Sequence, residues 1–231
     1  MKTDIGIIGA MDSEVAKLIS MLEEGAREHV GGIDFHRGTL YGKSVVIARC
    51  GVGKVFAAIC AQTMILKYSP ALLVNTGVAG AIAKGLTTGD VVIARQLVQH
   101  DMDTSPLGDP KGLISGINKV YFDADSRAVE ILLSAATELE ISASQGVVAT
   151  GDRFVASAEE KKRISDEFCA SACEMEGGAV AQVAFVNSTP FAVIRAISDS
   201  ADGGATVDYP TFLATAAKNS AAMTLELIKK Y

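Results

Sequence analysis

Asp4-Ile5-Gly6-Ile7-Ile8-Gly9-Ala10 leads without a break into Met11-Asp12-Ser13-Glu14-Val15, and this junction decides the fold class. The first half is a short apolar run of strand length bounded by small residues. The second half changes period: Val15, Leu18, Ile19 and Leu22 fall at i, i+3, i+4 and i+7, one buried face of a helix over residues 12–24. Apolar strand, small-residue turn and amphipathic helix make up the unit of an α/β domain whose central strands are covered on both faces. The alternation continues along the chain. Strands are expected over residues 4–10, 44–50, 71–76, 90–98, 146–150 and 191–197, and helices over 55–67, 126–140, 158–168, 174–185 and 210–230, the last opening on Pro210 at a first-turn position. Segment 101–123, which opens on Asp101 and ends on Asp123, carries two prolines and three glycines with little periodicity. It reads as a long loop, and a loop of that length inside a compact domain usually lines a site or a subunit interface.

Composition excludes several kinds of partner. The 231 residues are 49% hydrophobic and 21% charged, which suits one domain over residues 1–231. Lys and Arg number 21 against 27 Asp and Glu, a formal charge of −6 with no basic run longer than three residues, so nucleic acid is not the expected partner. No apolar run approaches the roughly 18–20 residues that span a bilayer, and the stretch from Ala179 to Val186 is short and interrupted by Gln182, so no membrane association is expected. The first apolar run is stopped by Asp12 without a small-residue cleavage pattern and reads as a strand rather than a signal peptide. Cys50, Cys60, Cys169 and Cys173 form no CxxC pair, and the histidines are His29, His36 and His100. Buried thiols in a reducing cytoplasm are expected, and no metal site.

In open α/β sheets ligands gather beyond the carboxyl ends of the strands, which directs attention to five places. After the first strand, Asp12 or Ser13 could cap the helix with Glu14 complementing its dipole, or Glu14 could face a pocket as a catalytic base. Gly51-Val52-Gly53-Lys54 lacks the GxxxxGK frame, and Val55 stands where a phosphate loop has Ser or Thr, so a simple strand-to-helix turn is expected. Asn75-Thr76-Gly77-Val78-Ala79-Gly80 reads as another tight turn whose small residues permit close approach. Glu174-Met175-Glu176-Gly177-Gly178 leads two carboxylates into an apolar segment; they either solvate a helix start or, if buried, need partners. Arg195, inside the apolar strand 191–197, must pair with something, and Glu174 or Glu176 are the candidates. Asp199 at the end of that strand is a further site candidate or a turn former. Carboxylates at element ends and a strand-borne arginine point to acid/base chemistry on a hydroxyl-bearing small molecule, without metal or redox cofactor.

In chain order, Ile7-Ile8-Gly9-Ala10-Met11 with Glu14, Cys50-Gly51-Val52-Gly53-Lys54, Asn75 to Gly80, Thr150-Gly151-Asp152-Arg153-Phe154, Glu174-Met175-Glu176 and Arg195-Ala196-Ile197-Ser198-Asp199 resemble the 5′-methylthioadenosine/S-adenosylhomocysteine nucleosidases, which share a fold with the wider nucleoside phosphorylase superfamily. The resemblance spans nearly the whole chain. It implies a single three-layer α/β domain with a central twisted mixed sheet flanked by helices. It also implies hydrolysis of the N-glycosidic bond of methylthioadenosine, S-adenosylhomocysteine and 5′-deoxyadenosine, with release of adenine and no cofactor. The family is typically a cytoplasmic homodimer, which would place loop 101–123 near the interface. A purine nucleoside phosphorylase, and a nucleosidase acting mainly on aminodeoxyfutalosine, are the alternatives.

The resemblance also assigns roles. Asp199 would be the general acid toward adenine N7, its pKa raised by burial, and Glu14 the base that prepares the attacking water. Glu176 would accept hydrogen bonds from the ribose 2′ and 3′ hydroxyls, with Arg195 positioning it and Met175 beside the sugar. Phe154 would stack on adenine, with backbone groups at Val155 holding its edge. Met11, Val52 and Tyr209 would meet the 5′ substituent, and Val78, Glu174 and Ser198 complete the substrate-binding set. Val78 stands where many relatives have Ser, Ala81 where a further Gly is common, and Leu107 where an aromatic residue is expected at the dimer interface. These departures leave the preferred 5′ group open.

Overall fold

In the computed structural model, which describes residues 3–201 and 204–231, the opening junction folds as strand β1 (Thr3–Gly9) and helix α1 (Asp12–Ser20), with Val15 and Leu18 buried. α1 ends at the Met21 cap, short of the expected residue 24, because Glu23 already enters a strand. That strand, β2 (Glu23–Val30), forms an antiparallel hairpin with β3 (Ile33–Leu40), which in turn pairs with β4 (Lys43–Arg49). Gly31 and Gly32 supply the hairpin turn at φ 60° and 80°, a region open to glycine because it has no Cβ.

Next come α2 (Lys54–Tyr68), β5 (Pro70–Ala81), β6 (Val91–Gln99) and, within segment 101–123, a 3₁₀ turn (Ser105–Leu107) and the short β7 (Phe122–Asp123). The chain continues through α3 (Ser126–Glu138), β8 (Ala143–Thr150), α4 (Ala158–Phe168), β9 (Ala170–Glu174), α5 (Gly177–Val186), β10 (Phe191–Asp199) and α6 (Ala205–Lys230). Asp125 caps α3 and Ser157 caps α4, each accepting a backbone N–H of the first turn. α6 begins before Pro210: Asp208 N–H already bonds the Gly204 carbonyl, so the proline sits inside the helix, early in its course.

The strands form one mixed sheet. β1 lies parallel between β4 and β5, β5 is parallel to β10, and β6 is parallel to β8. β10 pairs antiparallel with β6, β8 parallel with β9, and β9 antiparallel with the far end of β5. The path β5, β10, β6, β8, β9 therefore returns to β5, closing half of the sheet on itself rather than leaving it open. Alternation along the strands separates two faces. Ile5, Ile7, Leu72 and Val74 pack with α1, α3 and α6, whereas Ile8 and Leu73 pack with α2 and α5. A third, smaller core forms under α4 around Ile164 and Phe168. The arrangement is a central mixed sheet with helices on both faces.

Three further expectations are corrected. Residues 77–80 do not turn but continue β5, because β10 lies alongside with Arg195 opposite Gly77 and Asp199 opposite Gly80. Residues 174–176 do not start the fifth helix: Glu174 ends β9, and the helix begins at Gly177. The thiols are also not all buried, since Cys169 is exposed where it closes α4 at φ 50°. No described helix is long and apolar enough to cross a membrane.

Candidate active site

A cavity of about 190 Å³ opens where β1, β5, β9 and β10 end. Glu14 enters it from the first turn of α1. Neither Asp12 nor Ser13 caps that helix with its side chain, and Asp12 instead forms an exposed pair with Arg49 at 2.9 Å. The Glu14 carboxylate folds back, Oε2 accepting from the Ala10 and Met11 N–H groups at 2.7 and 2.9 Å and Oε1 from the Val78 N–H at 3.1 Å. Burial raises its pKa above the ordinary 4.5, more than Arg195 and the three amides lower it.

Asp199, at the end of β10, sits in the same cavity and is buried. Its Oδ2 accepts from Ser198 Oγ at 2.9 Å and its Oδ1 from the Ala201 N–H at 2.8 Å. Ala201 takes φ 51°, sparsely used by residues with a Cβ, and so turns its amide back onto the aspartate. Gly80 must be small here: a β-carbon on it would come within 2.9 Å of Asp199 Oδ1 and 2.8 Å of the Ala201 methyl.

The same region holds a buried charge cluster. Arg195 Nη2 bonds both Glu174 Oε2 and Asn75 Oδ1, and Glu176 Oε2 lies farther off, at 3.7 Å. Glu174 is fully engaged, taking also the N–H groups of Glu176 (2.9 Å) and Gly177 (2.7 Å) and the Thr150 hydroxyl. Arg195 thus anchors Glu174 first and Glu176 only at longer range, and Glu174 fixes the backbone from which Glu176 projects. Glu176 is held from the other side by the Gly53 N–H at 2.9 Å, so the Gly51–Lys54 turn has a role at the site. Burial, and next the Glu174 charge, push the Glu176 pKa up to about 7, against the pull of Arg195 and the Gly53 amide. Arg195 Nε and Nη1 are buried without a hydrogen-bond partner among the described residues.

The rest of the wall is apolar. Met11, Val52, Val78, Val155, Met175 and Tyr209 line it, with Phe154 half exposed at the mouth and Ser198 beside Asp199. Tyr209 donates to Met11 Sδ at 3.1 Å and meets the Phe154 ring edge-on at a centroid distance of 5.6 Å. Every candidate site residue named from the sequence lines this cavity except Arg195, which lies beneath it. Sequence reasoning passed over Ala10, Ala79, Gly80, Arg153 and Cys173 as lining residues, and Asn75 and Thr150 as supports. Asn75 and Thr150 were visible only as members of motifs, since nothing in the chain says that they face an arginine and a glutamate. Among the described residues, no group of three or more His, Cys, Asp or Glu side chains is placed to hold a metal ion.

This arrangement can donate a proton from one side, activate a water from another and hold hydroxyls with a carboxylate between them. The phosphorylase superfamily profile matches residues 4–229. A 5′-methylthioadenosine/S-adenosylhomocysteine nucleosidase of Shewanella loihica is 39% identical over 227 residues, 97% of this chain and 98% of the relative. The crystal structure of such a nucleosidase from Neisseria meningitidis, in complex with methylthio-immucillin-A, superposes with a TM-score of 0.96 at 38% identity, covering 99% of this chain and all of that one. A futalosine hydrolase of Helicobacter pylori superposes with a TM-score of 0.95 at 34% identity, covering 99% and 98% of the two chains.

Proposed function

The chain belongs to the phosphorylase superfamily, and within it to the 5′-methylthioadenosine/S-adenosylhomocysteine nucleosidases; from that premise we propose that it hydrolyses the N-glycosidic bond of methylthioadenosine, S-adenosylhomocysteine and 5′-deoxyadenosine, releasing adenine. It is an N-ribosyl hydrolase. The observation that carries this reading is the meeting of Glu14 and Asp199, far apart in sequence, in one cavity with Glu176.

Cleavage builds positive charge on the ribosyl ring and negative charge on the departing base. Asp199 donates a proton to adenine N7, so that the base leaves neutral, and Ser198 and the Ala201 amide hold its carboxyl in place. Glu176 accepts the ribose hydroxyls, and with Glu14 it sets negative charge near the developing cation. Glu14 takes the proton of the attacking water. Arg195, buried beneath the cavity, does not reach that water and acts on it through Glu14, whose ionised form its charge favours. Phe154 and Val155 receive the base, and Met11, Val52, Val78 and Tyr209 surround the 5′ substituent.

Phosphorolysis fits this cavity poorly. Among the described residues its charged lining is Glu14, Glu174, Glu176 and Asp199 with the single cation Arg153, an environment that repels a phosphate nucleophile. Likeness to a futalosine hydrolase keeps a related nucleoside such as aminodeoxyfutalosine as the second reading. The chain would act as one domain, in the cytoplasm and without a cofactor. It would pair with a second copy through the side of α2 that leaves Val55 70% exposed alongside Phe56 and Ile59, with Leu107 of loop 101–123, 85% exposed, near the contact.

Adenine release in phosphate-free buffer from methylthioadenosine, S-adenosylhomocysteine, 5′-deoxyadenosine, adenosine and aminodeoxyfutalosine tests the reading. Turnover of the first three is expected. Strict dependence on phosphate with a ribose-1-phosphate product, or no turnover of any, would overturn it.

A further inference from the structure

Outside the cavity, a polar cluster joins the segments that form its rim. Asp101, the first residue of loop 101–123, accepts through Oδ1 from Lys54 Nζ at 2.6 Å and through Oδ2 from the Asp152 N–H at 2.9 Å. Asp152 Oδ1 in turn accepts the Lys54 N–H at 2.8 Å. Lys54 Nζ also reaches Gln99 Oε1 at 3.3 Å, and Gln99 Nε2 donates to Gln182 Oε1 of α5 at 2.6 Å.

Each tie abuts a cavity residue. Lys54 follows Gly53, whose amide holds Glu176, and Asp152 stands two residues before Phe154, the half-exposed ring at the mouth. α5 starts directly after Glu176. Upstream of Asp152 the backbone is pinned by the Gly151 N–H on the Glu174 carbonyl at 3.1 Å; beyond that point Asp101 and Lys54 hold it. The Lys54 and Asp101 side chains are only 20% and 23% exposed, so their ion pair is less screened than a surface pair.

We propose that Asp101 is a positioning residue of the nucleoside site, clamping the loop that carries Phe154 to the turn that holds Glu176 and so fixing the separation at which base and sugar are gripped. This rests on the nucleosidase reading, in which Phe154 takes the base and Glu176 the ribose. Asp101 touches neither. Burial raises its pKa, but the hydrogen bonds from Lys54 and the Asp152 amide lower it more, so the clamp stays ionised wherever the cavity carboxylates titrate. Loss of the clamp therefore changes binding without moving the pH profile.

The test compares wild type with Asp101→Asn in steady-state hydrolysis of methylthioadenosine and in calorimetric binding of adenine. A hydrogen bond to a charged group is lost, so KM and the adenine Kd are expected to rise about tenfold together, with kcat held to within about threefold and the acid limb unshifted. KM and Kd within about twofold of wild type, or a loss confined to kcat, would overturn the proposal. If Asp101→Asn does not fold, Lys54→Gln, which removes the other half of the ion pair, must give the same KM rise. Wild-type turnover is measured first: its absence would count against the nucleosidase reading, and the adenine Kd alone would then decide the clamp.

Discussion

Glu14 and Arg195 converge over Gly77: a β-carbon on that glycine would come within 2.5 Å of Glu14 Oε1 and would overlap the Arg195 guanidinium. Gly77 lies in strand β5, opposite Arg195 in register, so its requirement is space rather than backbone freedom. Gly77→Ala is expected to push the two charged groups off their positions. Misplacement by about 1 Å can cost roughly 100-fold in rate, and overpacking of this kind costs about 1–3 kcal/mol. Measuring kcat/KM and the melting temperature together checks this, and a near-wild-type rate would mean that the approach of Glu14 to Arg195 is dispensable.

Replacing either acid by its amide removes a proton-transfer group while keeping its shape. Asp199→Asn retains an oxygen for the Ala201 amide, and Glu14→Gln retains one for the Ala10 and Met11 amides at the loss of the Val78 bond, so both variants should fold, Glu14→Gln at a lower melting temperature. Each is expected to lose roughly 10²–10⁴-fold in kcat, the usual contribution of a positioned acid or base. Circular dichroism with single-turnover adenine release separates lost chemistry from lost structure. A variant that keeps the wild-type rate would remove that residue from its role.

The fold and site were legible where one residue's chemistry forces a conclusion. Arg195 in an apolar strand had to be paired, and it is; Asp199 follows a strand, and it lies in the cavity. The periodic face of α1 was readable from Val15 and Leu18. What escaped depends on neighbours that the local sequence does not name. β2 is an exposed edge strand without apolar alternation, so periodicity could not reveal it. Gly77-Val78-Ala79-Gly80 reads as a turn by composition and becomes strand only because β10 runs beside it. Glu174 reads as the start of a helix because the Arg195 and Thr150 side chains that bond it come from elsewhere in the chain.

The raised carboxylates set the pH dependence of activity. Glu14 must be ionised to take a proton from water, and Glu176 must be ionised to accept two hydroxyls. Burial raises both, Glu176 to about 7. Because kcat/KM reports groups of the free enzyme, it should fall below about pH 7 with an apparent pKa that belongs to the coupled carboxylates together. A rate–pH profile in phosphate-free buffers measures this. A flat kcat/KM from pH 8 down to pH 5 would contradict the placement of either group.

The same shift makes a separate prediction for the stability of the unliganded protein. The Glu176 pKa stands near 7 when folded and at its ordinary 4.5 when unfolded, so the folded state favours the protonated form. Its stabilising contribution is complete below about pH 4.5 and is lost as the pH rises through about 7. Glu14, also raised, acts in the same sense. Glu176→Gln never ionises, and its amide oxygen can still accept from Gly53. The variant should therefore melt close to wild type at pH 5 and above it at pH 8. A gap of roughly 5 °C is expected, given about 2–4 °C per kcal/mol for a chain of this size. Thermal melts of the two proteins across this range measure the gap directly. A constant difference would mean that Glu176 is ionised at no cost in the empty cavity. A widening one would mean that the cavity holds a carboxylate under tension, and ligand hydroxyls donating to it would relieve that tension.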